Sequence, residues 1–133
     1  MRGLPAVLLL ALAVAVTGRA DDAPAPGPVD VHTRVEPDTV TIGQRFRYTL
    51  EVASAPDVEL MLSQPTERLG AFEIVDFGDL PPARRDGKAV VTRWFTLVGY
   101  AVGEHWVKAP PVRYRLPGED VTDAPEAGLR VSV

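Results

Sequence analysis

Cysteine is absent from this 133-residue chain. That absence excludes disulfides, thiolate metal centres, cysteine nucleophiles and a bacterial lipoprotein anchor together. Histidine is scarce, with only His32 and His105, and a metal site needs two or three convergent ligands. Serine is confined to Ser54, Ser63 and Ser132, with no Gly-x-Ser-x-Gly among them, so serine–histidine catalysis is not expected. Basic charge is in the minority: 14 Lys and Arg stand against 18 Asp and Glu, a net of −4. Nucleic acid is therefore not expected as a partner, because phosphate binding needs a net basic surface. Long apolar runs are also missing. The single one, Leu4–Val16, has 13 residues, short of the roughly 20 that span a bilayer.

That run has a different use. Arg2 precedes it, and Thr17-Gly18-Arg19-Ala20 then Asp21-Asp22 follow. A positive start, a short apolar stretch and small residues at 18 and 20 read as a signal peptide, residues 1–20, cleaved after Ala20. An uncleaved signal anchor is the alternative. Without residues 1–20 the balance becomes 12 basic to 18 acidic residues, net −6. Export without cysteine suits a bacterial periplasmic or secreted protein, with no stable membrane insertion once the signal is removed. Asp21–Pro28 (Asp-Asp-Ala-Pro-Ala-Pro-Gly-Pro) has no apolar period and reads as a Pro-rich flexible leader.

Residues 29–133 read as one domain. Gly and Pro together number 24, punctuation that suits many short strands better than helices. Val29–Glu36 alternates, with Val29, Val31, Thr33 and Val35 on one face. Gln44–Ser54 alternates for four cycles, with Phe46, Tyr48, Leu50 and Val52 together. A period of two on this scale is a half-buried strand. Shorter pieces are Thr39–Ile42, Val58–Leu62 and Ala71–Phe77, the last with Phe72 and Ile74 opposed to Val75 and Phe77. Pro65–Gly70 is too short to matter for the fold. Gly78–Gly87 is turn chemistry throughout, and Asp86-Gly87 is a hairpin signal. Lys88–Tyr100 is a long strand with aromatics on both faces, so a register-switching bulge is expected in it. Glu104–Lys108, Val112–Leu116 and Leu129–Val133 complete the set, and the pattern running to Val133 leaves no anchor helix or second domain expected. Seven to nine short strands over about 105 residues fit an all-β, immunoglobulin-like antiparallel β-sandwich. A closed barrel is the minority architecture.

Three stretches and a short motif also carry a resemblance. They are Val40-Thr41-Ile42-Gly43-Gln44-Arg45-Phe46-Arg47-Tyr48-Thr49-Leu50-Glu51-Val52, Leu69-Gly70-Ala71-Phe72-Glu73-Ile74, Tyr100-Ala101-Val102-Gly103-Glu104-His105, and Pro110-Pro111-Val112-x-Tyr114. In that order they resemble the N-terminal region of BatD-like bacterial oxygen-tolerance (aerotolerance) proteins over about Val29–Val133. The resemblance implies an exported immunoglobulin-like scaffold acting through protein contacts, with no catalytic residues. Members of that family usually run on into further β domains and a membrane helix, neither of which is expected within these 133 residues.

Candidate sites are few. A metal site joining His32 and His105, or a calcium site at Asp76, Asp79 or Asp86, lacks the usual spacing. The other carboxylates, among them Glu51, Glu59, Glu73, Glu104, Glu119, Asp120 and Asp123, read as solvated surface, since a glycosidase pair needs a deep cleft. No cofactor, metal or catalytic residue is therefore expected. Arg84-Arg85 is a candidate partner-contact loop. Trp94, Tyr100 and Trp106 are expected in the core. Leu97-x-x-Tyr100-x-x-Gly103 resembles the tyrosine corner of Greek-key sandwiches. The expected function is a non-enzymatic module contacting envelope proteins. The alternatives are a carbohydrate-binding sandwich with exposed Trp94 or Trp106, and a small periplasmic metal-binding protein.

Overall fold

The computed structural model describes residue 3 and residues 27–133. The signal-peptide expectation, and all but the last two residues of the Pro-rich leader, therefore fall outside the described residues. Eleven strands follow in chain order: β1 (Val29–Glu36), β2 (Arg45–Ser54), β3 (Glu59–Leu62), β4 (Arg68–Leu69), β5 (Phe72–Asp79), β6 (Ala83–Arg85), β7 (Lys88–Val98), β8 (Glu104–Lys108), β9 (Val112–Arg115), β10 (Val121–Asp123) and β11 (Gly128–Ser132). No helix occurs among the described residues. The protein is all-β, with antiparallel sheets.

The largest sheet runs β1-β2-β7-β5-β4, with β6 also on β7. The rest divides into β10-β9-β3 and β11-β8. The count exceeds nine because proline breaks two strands at one level. Pro110-Pro111 separates β8 from β9, and Pro125 separates β10 from β11, since proline offers no N–H to the ladder. Two backbone bonds carry the hairpin across the break: Ala109 N–H donates to Ala127 O at 2.8 Å, and Ala124 N–H to Val112 O at 2.8 Å. With each broken strand counted once, β1-β2-β7-β5 faces β3-(β9/β8)-(β10/β11). This strand order is the one that immunoglobulin constant-type sandwiches use.

The core follows from the alternation. Phe46, Tyr48, Leu50 and Val52 of β2 are buried, as are Phe72, Phe95 and Leu97 beside them. From the opposing strands Val107, Val112 and Val131 join the same cluster. Burying each such side chain contributes about 1.5–3 kcal/mol. Register sets these contacts: Phe46 lies opposite Leu97, and Tyr48 opposite Phe95.

Four sequence expectations need correction here. The bulge is not in β7, which pairs with β2 over ten consecutive residues, but in β5, between Ile74 and Asp76. It returns Phe77 to the inward face opposite Phe95, so Phe77 does not point away from Phe72 and Ile74. Pro65–Gly70 contains β4, which covers one end of β5. Gly78–Gly87 is not all turn: β5 reaches Asp79, and β6 forms a tight hairpin with β7. In that hairpin Asp86 (φ 53°) and Gly87 (φ 76°) both take the left-handed conformation, which a type I′ turn requires at its two central residues.

Candidate functional site

The side chains singled out from sequence do not converge. His32 is on the outer face of β1, opposite Glu51, whereas His105 is on β8, in the other layer, with its ring edge-on to Phe72 at 5.5 Å. Among the described residues no group of three or more His, Asp or Glu is disposed to hold a metal ion. The three candidate calcium carboxylates have other engagements or positions. Asp76 Oδ1 accepts the Phe77 N–H at 2.9 Å, and Asp86 occupies the hairpin tip. Asp79 accepts from Arg93 through both oxygens, at 2.7 and 3.3 Å. That hydrogen bond holds the Asp79 carboxyl below its ordinary value, against a smaller opposing effect of burial. Arg93 sits on the inward face opposite Leu50 and also donates to Ser63 O at 3.0 Å, so it ties β7 to the end of β3.

Arg84 and Arg85 lie on β6 rather than in an irregular loop. Arg85 pairs with Glu51, which takes one of the two cations out of a free contact surface.

The aromatic side chains depart most from expectation. None of Trp94, Tyr100 or Trp106 is in the core. Trp94 is half-buried on the outer face of β7 and lies across Gly78 of β5. A Cβ at Gly78 would sit 2.6 Å from the indole Cζ2, and the Arg47 guanidinium lies 4.5 Å from the ring centroid. Trp106 repeats the device on the opposite layer: it lies across Gly128, where a Cβ would sit 2.8 Å from the ring, yet it remains 59% exposed. In both cases the missing glycine side chain makes room for a flat indole.

Tyr100 is 61% exposed and stands beside Gly43, with no hydrogen bond to its hydroxyl among the described residues. The tyrosine-corner expectation on Leu97, Tyr100 and Gly103 is therefore corrected, because His105 fills that place. His105 is two residues before the fully buried Val107, at the start of the strand after the corner. Its Nε2 lies 2.8 Å from Ala101 O, four residues upstream, and since a carbonyl only accepts, the ring donates. Position and bond match the tyrosine of such corners. The signal was present as Gly103-x-His105-x-Val107, read from the buried valine backwards.

Two further surfaces stand out among the described residues. At one end of the sandwich Ile42, Tyr100 and Val102 are exposed on two loops joined by the Gly43 N–H to Gly99 O bond at 3.0 Å. At the proline break a cavity of about 480 Å³ opens, with Val31, Pro110, Val112 and Ala124 among its lining. Ion pairs Arg113–Asp123 at 3.1 Å and Lys108–Glu126 at 3.9 Å stand at its rim.

No protein-family model matches the chain, no curated protein matches it, and no solved structure matches it. Among the described residues no helix is long and apolar enough to cross a membrane.

Proposed function

We propose that the chain is an exported, non-enzymatic β-sandwich module that contacts another protein of the bacterial cell envelope, in the manner implied by the BatD-like resemblance. The observation that carries this reading is the apolar end formed by Ile42, Tyr100 and Val102, three large side chains left in solvent on hydrogen-bonded loops. Exposed apolar clusters rimmed by polar residues mark contact sites, and loops held by a rigid sandwich commonly carry them. The test is affinity capture from envelope extracts with the purified protein and with its Val102→Asp variant as baits. A partner retained by the first and lost by the second supports the reading. An identical profile for both, or no retained protein, refutes it.

Trp106 favours a second reading, a carbohydrate-binding sandwich. Its indole is seated on Gly128 and open to solvent, with Arg130 opposite it in register. Trp94 is less suited, with Arg47 over its ring. In a Trp94→Phe background, saturable quenching of the Trp106 emission by a polysaccharide panel is the expected signature, and its absence removes this reading.

A further inference from the structure

We propose that the chain also self-associates through β1, with two copies pairing antiparallel, edge to edge, about His32. The first ground is the state of the sheet edges. β1 ends its sheet and pairs with β2 alone, over eight consecutive residues without a bulge. Val29–Glu36 contains no proline and no lysine, the usual protections of an exposed edge. Every other edge among the described residues is blunted. β5 carries a bulge, its Phe77 N–H is taken by Asp76, and Pro81-Pro82 follow. β3, β4, β6 and β10 have only two to four residues, and β8, paired with β11 alone, has five and ends in Lys108, a residue that protects an edge. β11 has five residues, and its edge is capped at Ser132 by the segment after β1, through Val40 N–H to Ser132 O and Ser132 N–H to Asp38 O, both at 2.9 Å.

The second ground is self-complementarity of charge. With His32 opposite its own copy, Asp30 of each chain faces Arg34 of the other, Val31 faces Thr33, and Val29 faces Val35. Only even shifts of register keep both apolar faces on one side. A shift by one such step sets Asp30 against Glu36 in one direction and against His32 in the other, so the two Asp–Arg pairs belong to this register alone. Directly opposed charges of opposite sign stabilise antiparallel pairing, and like charges oppose it. Both groups are available. Arg34 forms no ion pair among the described residues, and Asp30 uses Oδ2 on Lys88 at 3.0 Å, leaving Oδ1 free of a side-chain partner. This interface is distinct from the apolar end, so it stands or falls separately from the partner reading.

Sedimentation equilibrium of the purified protein tests it, over about 5–500 µM, since an edge-only contact is at the small, weak end of interfaces. A reversible monomer–dimer equilibrium is expected. Arg34→Asp and Asp30→Arg should each weaken it at least about tenfold, and an equimolar mixture of the two should restore it, because the mixed pair is complementary at both contacts. Arg34→Lys should retain the dimer, which keeps the test decisive if Asp30→Arg unfolds beside Lys88. Val102→Asp should leave it unchanged. A monomer across the whole range overturns the proposal, as does an Arg34→Asp protein that dimerises like the original. Two folded variants that fail to recombine overturn this register.

Discussion

Replacing Tyr48 by Phe removes one oxygen from the centre of the sandwich. Tyr48 is fully buried, between Phe95, ring edge to face at 6.0 Å, and the β1 side chains of the same face. Its hydroxyl has no hydrogen-bond partner. Burial raises the phenol from 10.0 to about 12, and the nearby Thr33 hydroxyl offsets this slightly without completing a bond of proper geometry. A buried hydroxyl without a partner costs about 1–3 kcal/mol, so Tyr48→Phe should leave stability at pH 7 unchanged or raise it by about 1 kcal/mol. The alkaline limb discriminates further. Because the folded protein holds this proton more tightly than the unfolded chain, the stabilisation is complete below about pH 10 and is lost as pH rises towards about 12. A separation of two pKa units corresponds to about 2.7 kcal/mol. Urea unfolding followed by circular dichroism at pH 7, 10 and 11.5 should show the two proteins diverging at high pH, with the Phe variant the more resistant. A variant destabilised by more than about 1 kcal/mol at pH 7 refutes the account, since the hydroxyl is then satisfied in the fold; one sharing the full alkaline loss refutes it too, since the loss then does not come from this phenol.

Gly78→Ala should cost about 1–3 kcal/mol, as overpacking does, because its Cβ meets the half-buried Trp94; Gly128→Ala should cost less, because the exposed Trp106 can swing away, and thermal melts of the two variants rank them. His105→Ala should cost about 1–2 kcal/mol through loss of the bond to Ala101 and of the packing on Phe72, whereas His105→Tyr should recover part of it; chemical denaturation reads both. Asp79 contributes stability that is present above the ordinary carboxylate range and is lost as pH falls through its lowered value, so Asp79→Asn should flatten the acid limb of a stability–pH curve. Arg93→Met should destabilise by about 2 kcal/mol, and hydrogen exchange should report the loss first near Ser63.

Alternation made β2, β1 and the buried side of β7 legible, because a two-residue period maps directly onto one buried face. Asp86-Gly87 was legible for a related reason: few residue pairs accept two consecutive left-handed conformations. The bulge at Val75 was not, since one extra residue changes facing without changing composition, and Phe77 was misassigned with it. The two tryptophans were misread because each is accommodated by a glycine on the neighbouring strand, at positions 78 and 128, a relation that depends on register across strands. The corner residue was missed for want of a tyrosine at position 105; the buried Val107 two residues later was the better guide. The candidate surfaces, the apolar end and the β1 edge, emerge only once the loops and sheet edges are placed.

The paired proline breaks divide the second layer into two hydrogen-bonded ladders. Strands β3, β9 and β10 form a three-stranded tip, joined to the β8–β11 ribbon at the crease by the Ala109–Ala127 and Ala124–Val112 backbone bonds. Opening this tip breaks a short ladder and widens an existing cavity, and it leaves the pairing of β1, β2, β7 and β5 untouched. Sub-global opening takes the route with the fewest buried contacts to dismantle. The amides of β3, β9 and β10 should therefore form a low-energy exchange group of their own, and a protease that waits for partial opening should cut at the tip long before it cuts the large sheet.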